Sequence, residues 1–148
     1  MMRVIRERGV TLVELVISIV IVAIAVSAVL GVLSSLAKGS AQAMIRNQAV
    51  AIATAYLEEI RLKKFTANGV ESSRGLFDDV SDYNGLVDVG AHDQLNSPIA
   101  GLENYTVTVT VGAGSLGAVP PGSVKRIDVN VQHTEGVNFT LSGYRTAL

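Results

Sequence analysis

The segment from Leu15 to Ala37 limits the folds open to this chain more than any other feature, because it has 23 consecutive residues without Asp, Glu, Lys, Arg or His. As an α-helix it would be roughly 35 Å long, which exceeds the hydrocarbon thickness of a bilayer. A lone segment in lipid must satisfy its own backbone hydrogen bonds, so its many Val and Ile residues are expected to be helical. The sequence therefore predicts a membrane-spanning helix over residues 10–38.

The charges on either side of this segment predict its orientation. Arg3, Arg6 and Arg8 precede it, with Glu7 among them, and Lys38 is the only charge at its far edge. The positive-inside rule then places the N-terminus in the cytoplasm and residues 39–148 outside it, in a protein that crosses the membrane once. A cleaved secretory signal peptide is the alternative, but its apolar region usually has only about 7–15 residues.

Glu14 is the one acid within the predicted helix at residues 10–38. Insertion scales assign a carboxylate deep in a membrane helix a cost of about 2.5–3.5 kcal/mol. The positive end of the helix dipole returns only about 0.3–1 kcal/mol, so another source of stabilisation is needed. Solvation among lipid headgroups is the simplest alternative, although Glu is too short to reach far toward water.

The periodicity changes after Gly39, where a stripe of mostly apolar residues recurs at spacings of three to five. Its members are Ala41, Met44, Ile45, Gln48, Ala49, Ile52, Tyr56, Ile60 and Phe65. This pattern predicts that the helix continues, amphipathic, to about residue 66. Glu59 and Lys63 are expected to form an exposed pair on it, worth a few tenths of a kcal/mol.

The remainder of the chain predicts a loop region over residues 67–104 and a small sheet over residues 105–148. Strict alternation marks three strands at 105–111, 124–131 and 137–144. The apolar positions expected to share the inner face are Val107, Val109, Val111, Ile127, Val129, Val131, Val137, Phe139 and Leu141. A hairpin turn is predicted at 133–136 and a longer loop at 112–123. The predicted fold class is α+β: one long N-terminal helix packed on an antiparallel sheet.

The residues before the helix resemble a known processing motif. Arg8-Gly9 followed by Val10-Thr-Leu-Val-Glu14 is similar to the prepilin cleavage motif of type IV pilins and of type II secretion pseudopilins. That motif has Gly, then usually Phe where this chain has Val10, then Thr-Leu, and a Glu at the position of Glu14. The basic leader, the long apolar helix and the C-terminal sheet fit the same family, whose type IV pilin fold is the one predicted above.

The resemblance implies that residues 1–9 are a leader peptide, cut between Gly9 and Val10 by a membrane-embedded prepilin peptidase, after which Val10 is N-methylated. The cut creates an ammonium group at Val10, close to Glu14. An ion pair with this amine, in the same chain or a neighbouring subunit, would offset the burial of Glu14 in a filament. The implied partners are other pilin subunits, the prepilin peptidase, the inner-membrane assembly platform, and membrane lipid before assembly.

Several stretches are similar to the minor pilins of mannose-sensitive haemagglutinin (MSHA) pili. These are residues 48–60, 77–86 and 125–131, and the SGYRT ending at Thr146. The absence of cysteine agrees with a minor subunit, since many major pilins have a C-terminal cysteine pair. The alternatives are a type II secretion pseudopilin and an adhesive or DNA-binding tip module.

The remaining chemical signals are weak. Asp78, Asp79, Asp82 and Asn84 offer hard oxygen ligands that would suit Ca²⁺, but the twelve-residue calcium loop is incomplete and turn formation explains the same residues. The GAGSLG stretch at 112–117 matches a dinucleotide motif but is followed by Pro120 and Pro121 where a helix should begin.

The composition gives no reason to expect catalysis or nucleic-acid binding. His92 and His133 have no paired acid or nucleophile at a telling spacing, so no enzymatic activity is expected. Without residues 1–9 the chain has nine basic and twelve acidic side chains, a net charge of −3. That charge disfavours bulk binding to nucleic acid, so no nucleic-acid partner is expected.

Overall fold

The computed structural model describes residues 9–69 and 71–147. The predicted leader peptide, apart from Gly9, lies outside the described residues. The elements are helix α1 (Leu12–Arg61), two short 3₁₀ helices (Arg74–Leu76 and Val80–Tyr83), and strands β1 (Val87–Val89), β2 (Tyr105–Ala113), β3 (Val124–His133) and β4 (Asn138–Thr146). The chain divides into an N-terminal unit that ends at Ala41 and a C-terminal unit that begins at Gln42.

The N-terminal unit is the apolar part of α1, and its large apolar side chains are exposed all around the helix. By length and composition α1 qualifies as a membrane-spanning helix. Two of its serines bond to the helix itself: Ser18 donates to the carbonyl of Glu14 at 2.7 Å, and Ser27 to that of Ala23 at 2.8 Å. Hydroxyls satisfied in this way can lie in lipid at little cost.

The C-terminal unit begins with the part of α1 that packs on the sheet. The buried residues of this part are Ile45, Ala49, Ile52, Ala53, Tyr56, Leu57, Glu59 and Ile60. Tyr105 of β2 donates a hydrogen bond to Gln48 Oε1 at 2.6 Å, which joins strand and helix at the edge of the core. The amphipathic stripe is confirmed at Ile45, Ala49, Ile52, Tyr56 and Ile60. Its other predicted members differ: Ala41, Met44 and Gln48 are exposed, and Phe65 lies beyond the end of the helix.

The four strands form one antiparallel sheet in the order β1-β2-β3-β4. Val107 pairs with Val131, which pairs with Phe139, and the next row along the strands is Val109, Val129 and Leu141. These rows are the predicted inner face, and they pack with the buried side of α1 in a single core. The predicted turn at 133–136 is also present, with Gly136 at φ 85°. The predicted α+β fold of a type IV pilin is therefore confirmed.

The end of α1 and the presence of β1 differ from the sequence prediction. Helix α1 ends at Arg61 rather than near residue 66, because the Lys64 backbone N–H instead donates to the carbonyl of Asp78, at 3.1 Å, and its own carbonyl accepts from Val80. Strand β1 lies inside the region predicted to be loop. With three residues it is too short to show alternation, and its hydrogen bonds come from β2.

Candidate functional site

The first turn of α1 explains the Thr and Glu of the N-terminal motif. Gly9 and Val10 are exposed and precede the helix. Thr11 caps it: its hydroxyl oxygen accepts from the Glu14 backbone N–H at 3.2 Å, and its carbonyl accepts from the Leu15 N–H at 3.1 Å. Glu14 thus occupies the third helical position, where the helix dipole favours an acid. A cut between Gly9 and Val10 would require such exposure.

The Glu14 carboxylate is exposed, and within residues 9–69 and 71–147 no cation or hydrogen-bond donor pairs with it. The neighbouring side chains, Val10, Val13 and Leu15, are all apolar and exposed. Among the residues described, Glu14 is therefore an acid without a partner, on a surface that requires lipid or other helices around it. An ammonium group supplied at Val10 by cleavage, or by an adjacent subunit, would be a suitable partner for the Glu14 carboxylate.

Comparison with protein families gives one match, the prokaryotic N-terminal methylation motif, at residues 5–36. Residues 5–36 thus match a methylation motif of the prepilin type. The searches of curated proteins and of solved structures gave no match. The motif supports a type IV pilin-like subunit, and with it membrane anchoring, processing by a prepilin peptidase and assembly with other pilins. Gly9, Val10 and Glu14 all lie inside it.

Outside the methylation motif, the predicted metal site is only partly assembled. Oxygens of Asp78, Asp79 and Asp82 lie within 4.8 Å of one another and of Glu71, which the sequence analysis missed. Asn84 has a contact of its own: its side-chain oxygen accepts from the Val111 N–H at 2.9 Å, a bond that would compete with its predicted role as a ligand.

Hydrogen bonds within this loop account for most of the cluster. Asp79 accepts from the Ser81 N–H at 2.6 Å and Asp82 from the Asp79 N–H at 3.0 Å, so the two acids cap the second 3₁₀ helix. Lys64 donates to Asp78 at 2.7 Å and holds the pKa of that carboxyl below its usual range. The hydrogen bond between Glu71 and Asp82, followed by burial, raises the pKa of Glu71.

Calcium binding at this cluster stays a prediction. Carboxylates are the ligands Ca²⁺ prefers, and two buried oxygens, Glu71 Oε2 and Asp78 Oδ1, have no hydrogen-bond partner among the described residues. Titration calorimetry of the full chain with Ca²⁺ tests it. Glu71→Gln should weaken any heat of binding, whereas Asn84→Ala should leave the affinity unchanged.

A buried ion network lies beside the core, and the sequence analysis did not find it. Arg74 donates to Glu59 Oε2 at 2.7 Å and to Asp88 Oδ2 at 2.6 Å, and all three side chains are almost fully buried. Tyr83 donates to Glu59 and Tyr56 to Asp88, each at 2.7 Å. The network joins α1, both 3₁₀ helices and β1. The predicted Glu59–Lys63 pair was therefore wrong: Glu59 points inward, and Lys63 donates to the carbonyl of Phe77.

The network shifts the pKa of its members. Burial acts to lower the pKa of Arg74, but hydrogen bonds with Glu59 and Tyr56 outweigh burial, so its pKa is raised and the guanidinium stays charged. Burial, and then the hydrogen bond to Asp88, raises the pKa of Tyr56 to about 12. Burial also raises the pKa of Tyr83, as does its bond to Glu59. The one signal in the sequence is that Arg74 is the only basic residue among seven acids between residues 71 and 104.

The two histidines have structural contacts. The His92 backbone N–H donates to the Tyr56 hydroxyl at 2.8 Å, and its ring nitrogen Nδ1 is 3.0 Å from the carbonyl of Gly90. The His133 ring packs against Tyr105 with centroids 4.6 Å apart, and its Nδ1 accepts from the Glu135 N–H. Between β2 and β3, where the dinucleotide motif would need a helix, none begins.

Proposed function

We propose that this chain is a minor type IV pilin of the MSHA type, similar to the minor pilin MshD, and that it acts as a structural subunit in filament assembly or priming. The observation that carries the proposal is the methylation motif at residues 5–36, continuous with a 50-residue helix whose first part is apolar on every side. Such a helix needs lipid before assembly and other helices afterwards. The sheet unit would remain in the periplasm and then on the surface of the pilus.

In this proposal cleavage makes the subunit competent to assemble. The peptidase cuts between Gly9 and Val10 on the cytoplasmic side of the inner membrane, and N-methylation leaves the new Val10 ammonium charged. Glu14, which has no partner among the described residues, pairs with that amine in its own chain or in the adjacent subunit. Pairing between subunits would fix how far each helix is shifted along its neighbour, since any other shift leaves a charge in an apolar surrounding.

The processing step is tested by mass spectrometry of the intact protein, expressed with and without a prepilin peptidase. We expect loss of residues 1–9 and addition of one methyl group only when the peptidase is present. Gly9→Val should block the cut, because the side chain obstructs an extended backbone in the protease cleft. Gly39→Val is the control, since this glycine also has no neighbouring atom within 4 Å but lies beyond the motif. A cut at another bond would contradict the proposal.

The charge-pairing step is tested with Glu14→Gln, which keeps the size of the side chain and removes its charge. We expect this variant to be cut normally but to enter filaments poorly beside wild-type subunits, as measured by immunoblots of sheared fibres. Glu135→Gln, in the exposed β3–β4 turn, is the matched control and should enter fibres like the parent. Equal incorporation of the two variants would exclude the charge-pairing mechanism.

A type II secretion pseudopilin has the same parts and is the nearest alternative function. Gene deletion distinguishes the two: a minor pilin mutant loses surface fibres, whereas a pseudopilin mutant retains exoproteins in the periplasm. The sheet unit could instead be an adhesive or binding module at the pilus tip, in which case fibres form but attachment is lost. We propose no enzymatic activity, no cofactor and no nucleic-acid partner, because the proposed role is met by packing and charge pairing.

A further inference from the structure

Strand β4 leaves a long row of backbone groups open at one edge of the sheet. The His133 N–H donates to the Val137 carbonyl and the Ala147 N–H to the Ser123 carbonyl, which fixes the odd-numbered residues of β4 as those bonded to β3. By alternation, the N–H and C=O groups of the even-numbered residues point away from the sheet. The even-numbered residues of its main span are Asn138, Thr140, Ser142 and Tyr144, and their side chains are all exposed.

Edges of this kind are normally protected, and β4 lacks the usual protection. It has no proline or lysine, and its one charged residue is Arg145. Beside its C-terminal end, an open groove of about 410 Å³ separates the strand from the end of α1. Exposed side chains of Leu62 and Tyr144 line this groove. The helix therefore leaves room for an additional strand.

Strand β1 is the opposite edge of the same sheet and carries two exposed valines. The Gly90 N–H donates to the Tyr105 carbonyl and the Val109 N–H to the Leu86 carbonyl, so the even-numbered residues face β2. The N–H and C=O groups of Val87 and Val89 therefore point away from the sheet. Their side chains are 57% and 78% exposed, respectively, although Val and Ile are the residues that strands usually cover.

The number of strands determines how two copies can join. In a fully antiparallel sheet of four strands, β1 and β4 run in opposite directions. A copy displaced sideways without rotation therefore presents its β1 antiparallel to β4 of the first, and the helix segments 42–61 of both copies run the same way. Pairing β4 with β4 in antiparallel fashion would reverse one helix, which is incompatible with subunits that all enter a filament from one membrane.

We propose that copies of this chain associate head to tail, with β1 of one copy added as a strand along β4 of the next. This inference rests on the proposed function, because it requires parallel subunits. The outward groups of Val87 and Val89 meet those of Tyr144 and Ser142, which gives four backbone hydrogen bonds. Val87 then lies beside the Tyr144 ring, a favourable cross-strand pair.

In this register the central residue of β1, Asp88, lies opposite Gly143. Gly143 has no side chain, and the space above it is occupied by Leu57 of its own chain. Because Gly143 has no side chain to meet Asp88 across the new pair of strands, Asp88 can stay buried in its own copy and bonded to Arg74. Head-to-tail contacts of this kind do not close on themselves as a twofold dimer does, and they generate rings or helical filaments.

The charge distribution supports the same arrangement. Residues 71–104, which include β1, have seven acidic side chains and one basic side chain, whereas the rest of the C-terminal unit has seven basic and four acidic. Arg145 of β4 and Arg61 of α1 lie at the groove, together with one acid, Glu58. Joining unlike edges therefore brings the segment that is richer in acids to the part of the unit that is richer in bases, while joining two β1 edges would bring two acid-rich segments together.

Cysteine crosslinking of full-length chains in membranes tests the interface, and the absence of native cysteine makes it unambiguous. Two tagged chains are coexpressed, one with Val89→Cys and the other with Ser142→Cys, and joined with a short bismaleimide. We expect a crosslinked heterodimer whose yield falls as salt rises. Val89→Cys with Thr110→Cys is the control and should give none, because Thr110 is exposed on the central strand β2.

A backbone variant tests whether strand pairing itself holds the copies together. Ser142→Pro removes the outward N–H of β4 while leaving the bonds to β3, and Ser142→Ala loses the same hydroxyl but keeps the N–H. We expect at least a fivefold loss of copurification between tagged copies for the proline variant only, with both variants equally stable by thermal unfolding. Equal copurification would overturn the proposal, as would crosslinking of Ser142→Cys with itself in place of Val89→Cys.

Mass spectrometry of the same samples separates this inference from the proposed function. A chain that is cut at Gly9 and methylated but gives no β1–β4 crosslink leaves the pilin proposal intact and overturns the interface. A chain that is not processed at all overturns the pilin proposal.

Discussion

Replacing Arg74 with methionine is expected to destabilise the C-terminal unit by about 3–5 kcal/mol, the usual cost of removing one partner from a buried ion pair. Arg74 is 3% exposed and its guanidinium contacts both Glu59 and Asp88. Methionine fills a similar volume, so little of the loss comes from packing. The cost arises because two carboxylates, 6% and 5% exposed, remain in the interior without their cation.

This free energy predicts a large change in melting temperature. For a domain of about 100 residues, 1 kcal/mol corresponds to roughly 4 °C, so the melting temperature should fall by about 12–20 °C. Near-ultraviolet circular dichroism of the full chain in detergent is a suitable assay. All four tyrosines lie in the C-terminal unit, so the signal reports its unfolding and not that of residues 12–41.

The control is Arg126→Met. Arg126 pairs with Asp128 at 3.0 Å, but the two side chains are 49% and 30% exposed, so the loss should be within about 1 kcal/mol. Adding Glu59→Gln and Asp88→Asn to Arg74→Met should recover part of the stability, because it removes the unpaired charges. Equal effects of the Arg74 and Arg126 substitutions would refute the view that burial gives this network its strength.

Three further substitutions test other parts of the C-terminal unit. The pKa of Tyr56 is about 12 in the folded chain and near 10 when unfolded, so its contribution to stability is complete below pH 10 and is lost as pH rises toward 12; Tyr56→Phe should flatten that decline in alkaline unfolding curves. The raised pKa of Glu71 favours folding at acid pH and opposes it once the carboxyl ionises, so Glu71→Gln should raise the melting temperature at pH 7 and not at pH 3. A Cβ at Gly143 would lie 2.8 Å from a methyl group of Leu57, so Gly143→Ala should cost about 1–3 kcal/mol in urea unfolding.

For each of these variants, one result would contradict the prediction. An unchanged alkaline transition in Tyr56→Phe would show that its hydroxyl is not the group that titrates. A lower melting temperature for Glu71→Gln at pH 7 would mean that its charge is stabilising. Gly112→Ala, which meets no atom within 4 Å, should be near neutral, and an equal loss there would show that strand glycines as such, and not the contact with Leu57, explain the Gly143 result.

The sequence alone determined the elements whose patterns are long. The uncharged run before Lys38 and the alternation at 105–111, 124–131 and 137–144 predicted the helix and three of the four strands, because periodic burial repeats the same signal over many residues. The methylation motif was also visible, since the features expected of it are local: a glycine before the helix, a capping Thr11 and an acid, Glu14, in the first turn.

The tertiary structure decided whatever depends on contacts between distant residues. Glu59 had the spacing of an exposed partner for Lys63, yet it bonds to Arg74, which is fifteen residues away along the chain. Glu71 lies in the acidic cluster, and the oxygen of Asn84 is bonded to the backbone of β2, because the packed chain fixes where those side chains lie. A three-residue strand such as β1 has no periodicity of its own and exists only because β2 supplies its partners. Local patterns specify which face of an element is apolar, but only the packed chain determines which buried polar groups meet and which sheet edges remain open.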